Sequence, residues 1–436
     1  MIGGTVVYER LNQAEVDHIC DRHERFLTGR PGGGRANFSY KILDGLSLSN
    51  RNLADANFSG ASLGGANFAM AILTNAIMFA CDMRRVQLSG ADLRRADMRG
   101  CLLRGSNLTG ADLTQADLRE GAIAQVDRDR GLAMIKHEDR AGDLGETTFK
   151  GANLTQTKMA GVMAQQADFS DAILIGARLT RANLRGSRFS GANLEGADLC
   201  DADLSDADMS DAVLVGVKME RARLQGVITE GALTDAPVGE PWGTNIAKAW
   251  SMISDHAAFC ETHGQNGALA NFDRRDLRAL SSLANRNLTG LSANGATLYG
   301  LDLEGAHLQA AKLARADLRM ACLRGADLRG ADLSGAKLNN ADLRGAKLSA
   351  LILPNDRRLA VSLAAASLRY ADLSEADLRD VVASGADLSY INLEKADVRR
   401  ANFNGSCFTG ATLPEGFSLQ VASLAGAVDV PLARVG

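Results

Sequence analysis

Every fifth residue of this chain is large and apolar over most of its length. From Phe38 to Leu118 each such position is Leu, Phe or Met without exception. From Phe149 to Leu224 only Ala164 departs, and from Leu283 to Leu353 only Ala293. The pattern resumes in the same frame from Leu363 to Leu413. Two residues earlier stands, most often, alanine, so the unit reads Ala-(Asp/Asn)-Leu-x-x, as in Ala91-Asp92-Leu93-Arg94-Arg95. A period of five fits neither the helical repeat of about 3.6 nor the strand repeat of about 2. Within a unit, however, Ala and Leu lie two apart and face one way, as in a short strand. The two polar or glycine residues that follow can turn the chain. One strand-and-corner unit cannot close on itself, but several can wrap a shared interior.

A second period sets the size of the lap. Phe38 and Phe58 are twenty apart and are followed at the same interval by Met78 and Met98. Phe149, Phe169, Phe189 and Met209 repeat that interval, as do Cys81 and Cys101 at alanine positions. Twenty residues per coil gives four sides of five, with large side chains stacked on their like. Adjacent coils would then lie ~4.8 Å apart, the spacing of paired strands.

Composition agrees. Glycine reaches 45 residues, proline only 6, and aromatics make up 5% of the 436-residue chain. A conventional core leans on aromatics, whereas a narrow bore is filled by Leu and Ala. The net charge of −4 argues against direct nucleic-acid binding, which favours a basic excess. No apolar run reaches the about 18 residues of a membrane span. The start, Met1 to Arg10, has no basic head followed by an apolar stretch, as a signal peptide would. The seven cysteines are scattered without a Cys-x-x-Cys pair, which points to a reducing, cytoplasmic location.

These repeats resemble those of the pentapeptide-repeat family, whose unit is the same Ala-(Asp/Asn)-Leu-x-x. The resemblance implies an all-β solenoid, the right-handed quadrilateral β-helix, and its handedness comes from the family and not from the counting.

The array reads as two tandem modules, each preceded by a short α-helical cap. Asn12 and Glu15 resemble a capping box ahead of Val16, Ile19, His23, Phe26 and Leu27 at helical spacing. A second helix is expected from Asn245 to about Cys260, with Ile246, Ala249, Trp250, Ile253 and Phe259 on one face. The two lead-ins match. His23-x-x-Phe26 precedes Ala36-Asn37-Phe38 and Asn50-Arg51-Asn52-Leu53, and His256-x-x-Phe259 precedes Ala270-Asn271-Phe272 and Asn285-Arg286-Asn287-Leu288. The expected boundaries are a cap over 1–35, a first β-helix over 36–230 and a linker with a second cap over 231–269. A second β-helix follows over 270–420, then a tail over 421–436. A helix over an open solenoid end would cover apolar side chains and unpaired strand edges. His23 and His256 read as packed residues of those lids and not as ligands. An insertion at about 119–148 shifts the frame and carries Asp127-Arg128-Asp129-Arg130 and Lys136-His137-Glu138-Asp139-Arg140. A loop of this length is either functional or disordered. Pro354-Asn355-Asp356-Arg357-Arg358 keeps the frame and reads as a bulged corner.

No catalytic, cofactor-binding or metal-binding residues are expected. The outward ladder His307, Asp327, Lys347 resembles a general base with charged neighbours, but its alternation recurs in Lys312 with Asp332 and Asp317 with Lys337, as a surface charge ladder would. Cys81 and Cys101 read as buried thiols on adjacent coils and not as a disulfide. The expected function is a non-catalytic scaffold or protein–protein interaction module with an unidentified protein partner, no membrane and no cofactor. The alternative comes from the resemblance: some members of the family bind DNA gyrase by imitating duplex DNA. It is supported by Glu195, Asp198, Asp201, Asp203, Asp206, Asp208 and Asp211, and opposed by the basic stretches Arg84, Arg85, Arg94, Arg95, Arg99, Arg104 and Arg315, Arg319, Arg324, Arg329.

Overall fold

The computed structural model describes residues 9–121, 124–127, 131–134, 142–238 and 246–431. They belong to two compact units, Met1–Ala236 and Pro237–Gly436. In the first, parallel bridges join Asn37 to Asn57, Ile42 to Ser62, Ser47 to Asn67 and Asn52 to Ile72, which are the four sides of one coil on the next. Each side is a single residue pair long because the chain turns at once. The Leu53 carbonyl accepts the Ala56 N–H at 3.1 Å, and Asp55 between them has φ +61°, the third position of a type II turn. Inside the arrays the inward Leu N–H reaches forward to the next coil, as Leu53 to the Ile72 carbonyl at 2.7 Å, and the outward residue reaches back, as Ile72 to the Arg51 carbonyl at 2.9 Å. The backbone is thus paired around the whole perimeter, with sides too short to count as long strands.

Inside, the Leu-type and Ala-type layers are buried along most of both arrays; over the last coil of the first, Met219 and Ala222 are partly buried and Leu224 is exposed. The predicted columns stack: Phe38 on Phe58, Phe149 on Phe169 and Phe169 on Phe189, all with centroids 4.9 Å apart. Among the described residues, polar side chains enter the bore at alanine positions, where a carbonyl of the preceding coil meets them. The Ser106 Oγ donates to Met83 O at 2.7 Å and the Ser187 Oγ to Ala164 O at 2.7 Å. Cys81 and Cys101 do the same to Phe58 O and Met78 O, at 2.9 and 2.8 Å. Both are free, buried thiols, and burial pushes that of Cys81 well up.

Helix α1 (Gln13–Leu27) starts at the capping box of Asn12 and Glu15 and buries Val16, Cys20 and His23. Just before it, strand β1 (Glu9–Arg10) pairs in parallel with β2 (Lys41–Ile42) on the first coil. Helix α2 (Ile246–Glu261) buries Ala249, Ile253 and His256; the lead-in residues 239–245, with Pro241 and Trp242, lie outside the described residues. In the second unit the one-residue surplus between Leu277 and Leu283 is taken up by the 3₁₀ turn Arg278–Leu280, so Asn271 pairs with Ser292.

Three features differ from the sequence reading. The first array resumes earlier than Phe149: Asp143 pairs with Leu102 and Leu144 is buried. Between Gly121 and Gly142 the described residues form an antiparallel hairpin, β3 (Ala124–Asp127) with β4 (Gly131–Met134); residues 122–123, 128–130 and 135–141, including Ile135 and the charged run from Lys136, lie outside the described residues. The site of departure is tight, since a Cβ on Gly100, at φ +69°, would sit 3.2 Å from the Gly121 Cα. The segment around Pro354 is no bulged corner. It is a hairpin of β5 (Leu351–Ile352) with β6 (Arg358–Leu359), and Asp332 pairs beyond it with Ser362. Two five-residue slots are extruded, which preserves the frame of five while breaking the lap of twenty. Finally, Ser423 pairs with Asn402 and Val428 with Cys407, so the ladder runs past the expected end at 420 and into the expected tail, to Val428. Helix α3 (Phe417–Gln420) takes up the extra residue and packs Phe417 against Phe403 and Phe408 at 5.7 and 5.3 Å.

Candidate functional site

A filled bore leaves only the outer faces for chemistry. The outward residues stand in columns one coil apart, and His307, Asp327 and Lys347 are such a column. Asp327 is already engaged: Arg329 donates Nε and Nη2 to its two oxygens at 2.8 and 2.6 Å, and Gln309 Nε2 adds a bond at 2.9 Å. Burial opposes ionisation there, but the Arg329 guanidinium and backbone N–H outweigh it and hold the carboxyl below its usual range. A carboxylate so held is a poor proton acceptor.

The Asp327–Arg329 pair is one case of a repeated device. An outward Asp and the Arg two residues on flank one buried Leu, Met or Val and close a two-pronged ion pair, as in Asp92–Arg94 at 2.8 and 2.6 Å. It recurs at Asp97–Arg99, Asp117–Arg119, Asp317–Arg319, Asp342–Arg344 and Asp397–Arg399. At Asp377 the Arg379 guanidinium lowers the carboxyl to about 2. Of the arginines that look basic in sequence, Arg84, Arg94 and Arg99 are therefore neutralised within their own strands and Arg104 by Asp143 on the next coil; the signal was an Asp two residues before the Arg. The acidic coil is likewise met by its neighbours. Arg221 bridges to Asp201 at 2.6 Å, Arg185 to Asp206 at 3.3 Å and Arg223 to Asp203 at 3.7 Å.

Among the described residues one set of possible metal-ligand atoms, from Asp302, Glu304 and Cys322, lies within 4.8 Å of one another. Asp302 accepts from Ser282 Oγ at 2.8 Å and Glu304 is bridged by Arg324 at 3.0 Å, so both carboxylates are already partnered.

The two lid histidines occupy matching positions. The Ala36 N–H donates to His23 Nδ1 at 3.1 Å, which leaves the proton on Nε2 to donate to the Ala54 carbonyl at 2.9 Å. The Ala270 N–H donates to His256 Nδ1 at 3.0 Å. Burial lowers the pKa of both rings. A neutral ring is required, because protonating Nδ1 destroys the acceptor that Ala36 or Ala270 uses. The unfolded chain takes up these protons below about 6.5 while the folded chain does so only at lower pH, so stability is full above that value and falls beneath it. We expect the melting temperature to drop between about pH 7.5 and pH 5.5, above the carboxylate range, and the drop to shrink in His23→Gln/His256→Gln. A flat profile in the parent protein would contradict this.

On one face of the first unit an open groove of ≈ 800 Å³ is lined by Arg95, Arg99, Lys158 and Arg178, with Asp97, Asp117 and the amides of Gln115 and Gln156. Beside it a smaller hollow of ≈ 380 Å³ is bordered by Arg99, Arg119, Glu120 and Arg181.

The model of the pentapeptide repeats matches residues 35–78, 81–119, 148–186, 165–199, 187–226, 294–330, 311–349, 360–389 and 376–413. That is more than half of the chain, which therefore belongs to the pentapeptide-repeat family. Proteins of this family fold as right-handed quadrilateral β-helices and are generally non-catalytic. No curated protein sequence matches the chain. Similar solved structures include Rfr23, a pentapeptide repeat protein of the cyanobacterium Cyanothece, 27% identical over 30% of this chain and 89% of its own, TM-score 0.26. HetL, a pentapeptide repeat protein involved in heterocyst differentiation regulation in Nostoc, is 20% identical over 96% and 94%, TM-score 0.18. QnrB1, a plasmid-mediated fluoroquinolone resistance protein, is 16% identical over 61% and 87%, TM-score 0.20. Among the described residues no helix is long and apolar enough to cross a membrane.

Proposed function

We propose that the chain is a non-catalytic interaction scaffold made of two β-helical modules, each closed at its N-terminal end by a helical cap. The observation that carries this reading is the filled bore. Among the described residues the bore of each unit is packed with apolar side chains, mostly Leu and Ala, which leave no enclosed pocket in it where an acid or base could be tuned. What remains is a rigid, ruled surface. The repeated histidine contact, His23 to Ala36 and His256 to Ala270, supports one cap per module. The segment that leaves the coil after Gly121 supports a specific contact, since the ladders elsewhere repeat.

Replacing residues 122–141 with a short glycine-serine linker is the test. The melting temperature should stay unchanged, because Leu118 and Leu144 remain in the bore, while recovery of a stoichiometric partner from the source organism's lysate should be lost. Undiminished recovery would remove the insertion from the reading. A second reading, imitation of DNA toward gyrase, draws on the acidic coil around Asp201 and Asp206 and on the likeness to QnrB1. Three of its seven carboxylates, Asp201, Asp203 and Asp206, are bridged by Arg221, Arg223 and Arg185, which weakens any sustained negative field. Gyrase supercoiling should be unaffected by excess protein; inhibition would favour the second reading instead.

A further inference from the structure

The groove on the first unit differs from the rest of its face in one respect. Its outward column runs Asp97, Asp117, Lys158, Arg178, Asp198. Asp97 and Asp117 are tied to the arginines two residues on. Lys158 and Arg178 are followed by Ala160 and Thr180, so the in-strand carboxylate that neutralises the other cations is missing. Among the described residues neither has an ion-pair partner, and both are exposed. They also oppose each other across adjacent coils, a like-charge pairing that works against the sheet. Arg95 and Arg99 line the same groove, and Arg119 and Arg181 border the hollow beside it. These six cations face three carboxylates, Asp97, Asp117 and Glu120, in a chain whose overall charge is −4.

We infer that this groove docks a short, extended, acidic segment of a protein partner, with carboxylates on alternate residues meeting Lys158 and Arg178. The inference rests on the scaffold reading and names the chemistry of its partner. Alternate side chains of an extended chain are ~6.8 Å apart, against ~4.8 Å between coils, a difference that two long, mobile side chains can span. Gln115 and Gln156, hydrogen-bonded to each other at 2.9 Å, form a rim of amides that can pair with a peptide backbone. A nucleic-acid strand fits less well. Among the described residues no aromatic ring lines the groove for a base to stack on, the nearby Phe79 ring being covered by the Arg99 guanidinium, and Asp117 and Asp198 flank the cationic pair on either side, where a continuous phosphate backbone would meet them.

The test uses the full chain and a fluorescein-labelled heptapeptide of alternating Glu and Ser. Anisotropy at low salt should show saturable binding that weakens as salt is raised. Lys158→Gln/Arg178→Gln should weaken it about tenfold or more without lowering the melting temperature. The control Lys150→Gln/Arg188→Gln, on a different face, should leave it unchanged. Equal weakening in both variants, or no binding at low salt, overturns the inference. Tighter binding of a labelled oligonucleotide of equal charge, lost in the Lys158/Arg178 variant, makes the groove a nucleic-acid site and overturns it as well. If the peptide fails to bind while the lysate partner is still recovered, the scaffold reading stands and only the groove assignment falls.

Discussion

Leu93→Asp is expected to abolish the cooperative melt of the first unit, while Arg94→Ala leaves it within experimental error. The two residues are neighbours in sequence and opposite in environment. Leu93 is fully buried, in the column of Leu73 and Leu113, and the backbone N–H groups around it are committed to the coil ladder, as Leu93 N–H is to Asp112 O at 2.7 Å. A carboxylate there would be charged with no donor to meet it, or would be protonated at a cost of several kcal/mol. That is comparable with the ~5–15 kcal/mol that holds an ordinary domain together. Because each coil rests on its neighbours, the damage spreads along the array. Polarity alone is not what the bore rejects, since Ser106 and Ser187 lie inside it with a carbonyl each. Arg94 points outward, and its ion pair with Asp92 is solvent-exposed, the kind that contributes little. Circular-dichroism melts of the two variants check the assignment; similar losses would show that inward and outward are wrongly placed.

The coil itself was legible in the sequence because it is a local rule repeated many times. Each Leu reports its own side, and Phe38, Phe58 and their successors report the lap. What the sequence hid were places where the two periods part company. Leu144 follows Asp143 in the ordinary way, but glycine stands at its alanine position, so the five-residue unit looked interrupted. The hairpin from Leu351 to Leu359 is the converse: ten extra residues leave the frame of five intact, and only the bridge from Asp332 to Ser362 exposes the extrusion. The Asp-Leu-Arg ion pairs were equally hard to see, because charge counted along the sequence does not say that two outward side chains share one strand. The groove escaped for a related reason. Lys158 and Arg178 become neighbours only through the lap, and what sets them apart is a carboxylate missing two residues later.

Deleting residues 1–30 is expected to turn a well-behaved protein into one that self-associates and binds hydrophobic dyes. The removed segment does more than shade the apolar residues beneath Val16, Ile19 and Cys20. It completes the backbone of the first coil on all four sides. The Ala36 N–H is held by His23 Nδ1 at 3.1 Å and the Ala54 carbonyl accepts from its Nε2 at 2.9 Å. Strand β1 pairs with Lys41 and Ile42. Gln13 stands in for a strand partner at Ser47, taking its N–H at 2.9 Å and giving an N–H to its carbonyl at 2.8 Å. Arg51 then fastens the helix to the coil through Asp17, Asp21 and Glu24 at 3.1, 2.9 and 3.3 Å. Without these contacts the first coil presents an open, parallel edge of unpaired N–H and C=O groups above an apolar mouth, which is a template for another chain. A milder variant separates the two contributions: Gln13→Ala/His23→Ala keeps the apolar cover and removes edge pairing on three sides. Light scattering after size exclusion should show larger species in the deletion and an intermediate shift in the double variant. An unchanged monomer in the deletion, with no added dye binding, would mean that the first coil needs no cover and that α1 serves some other purpose.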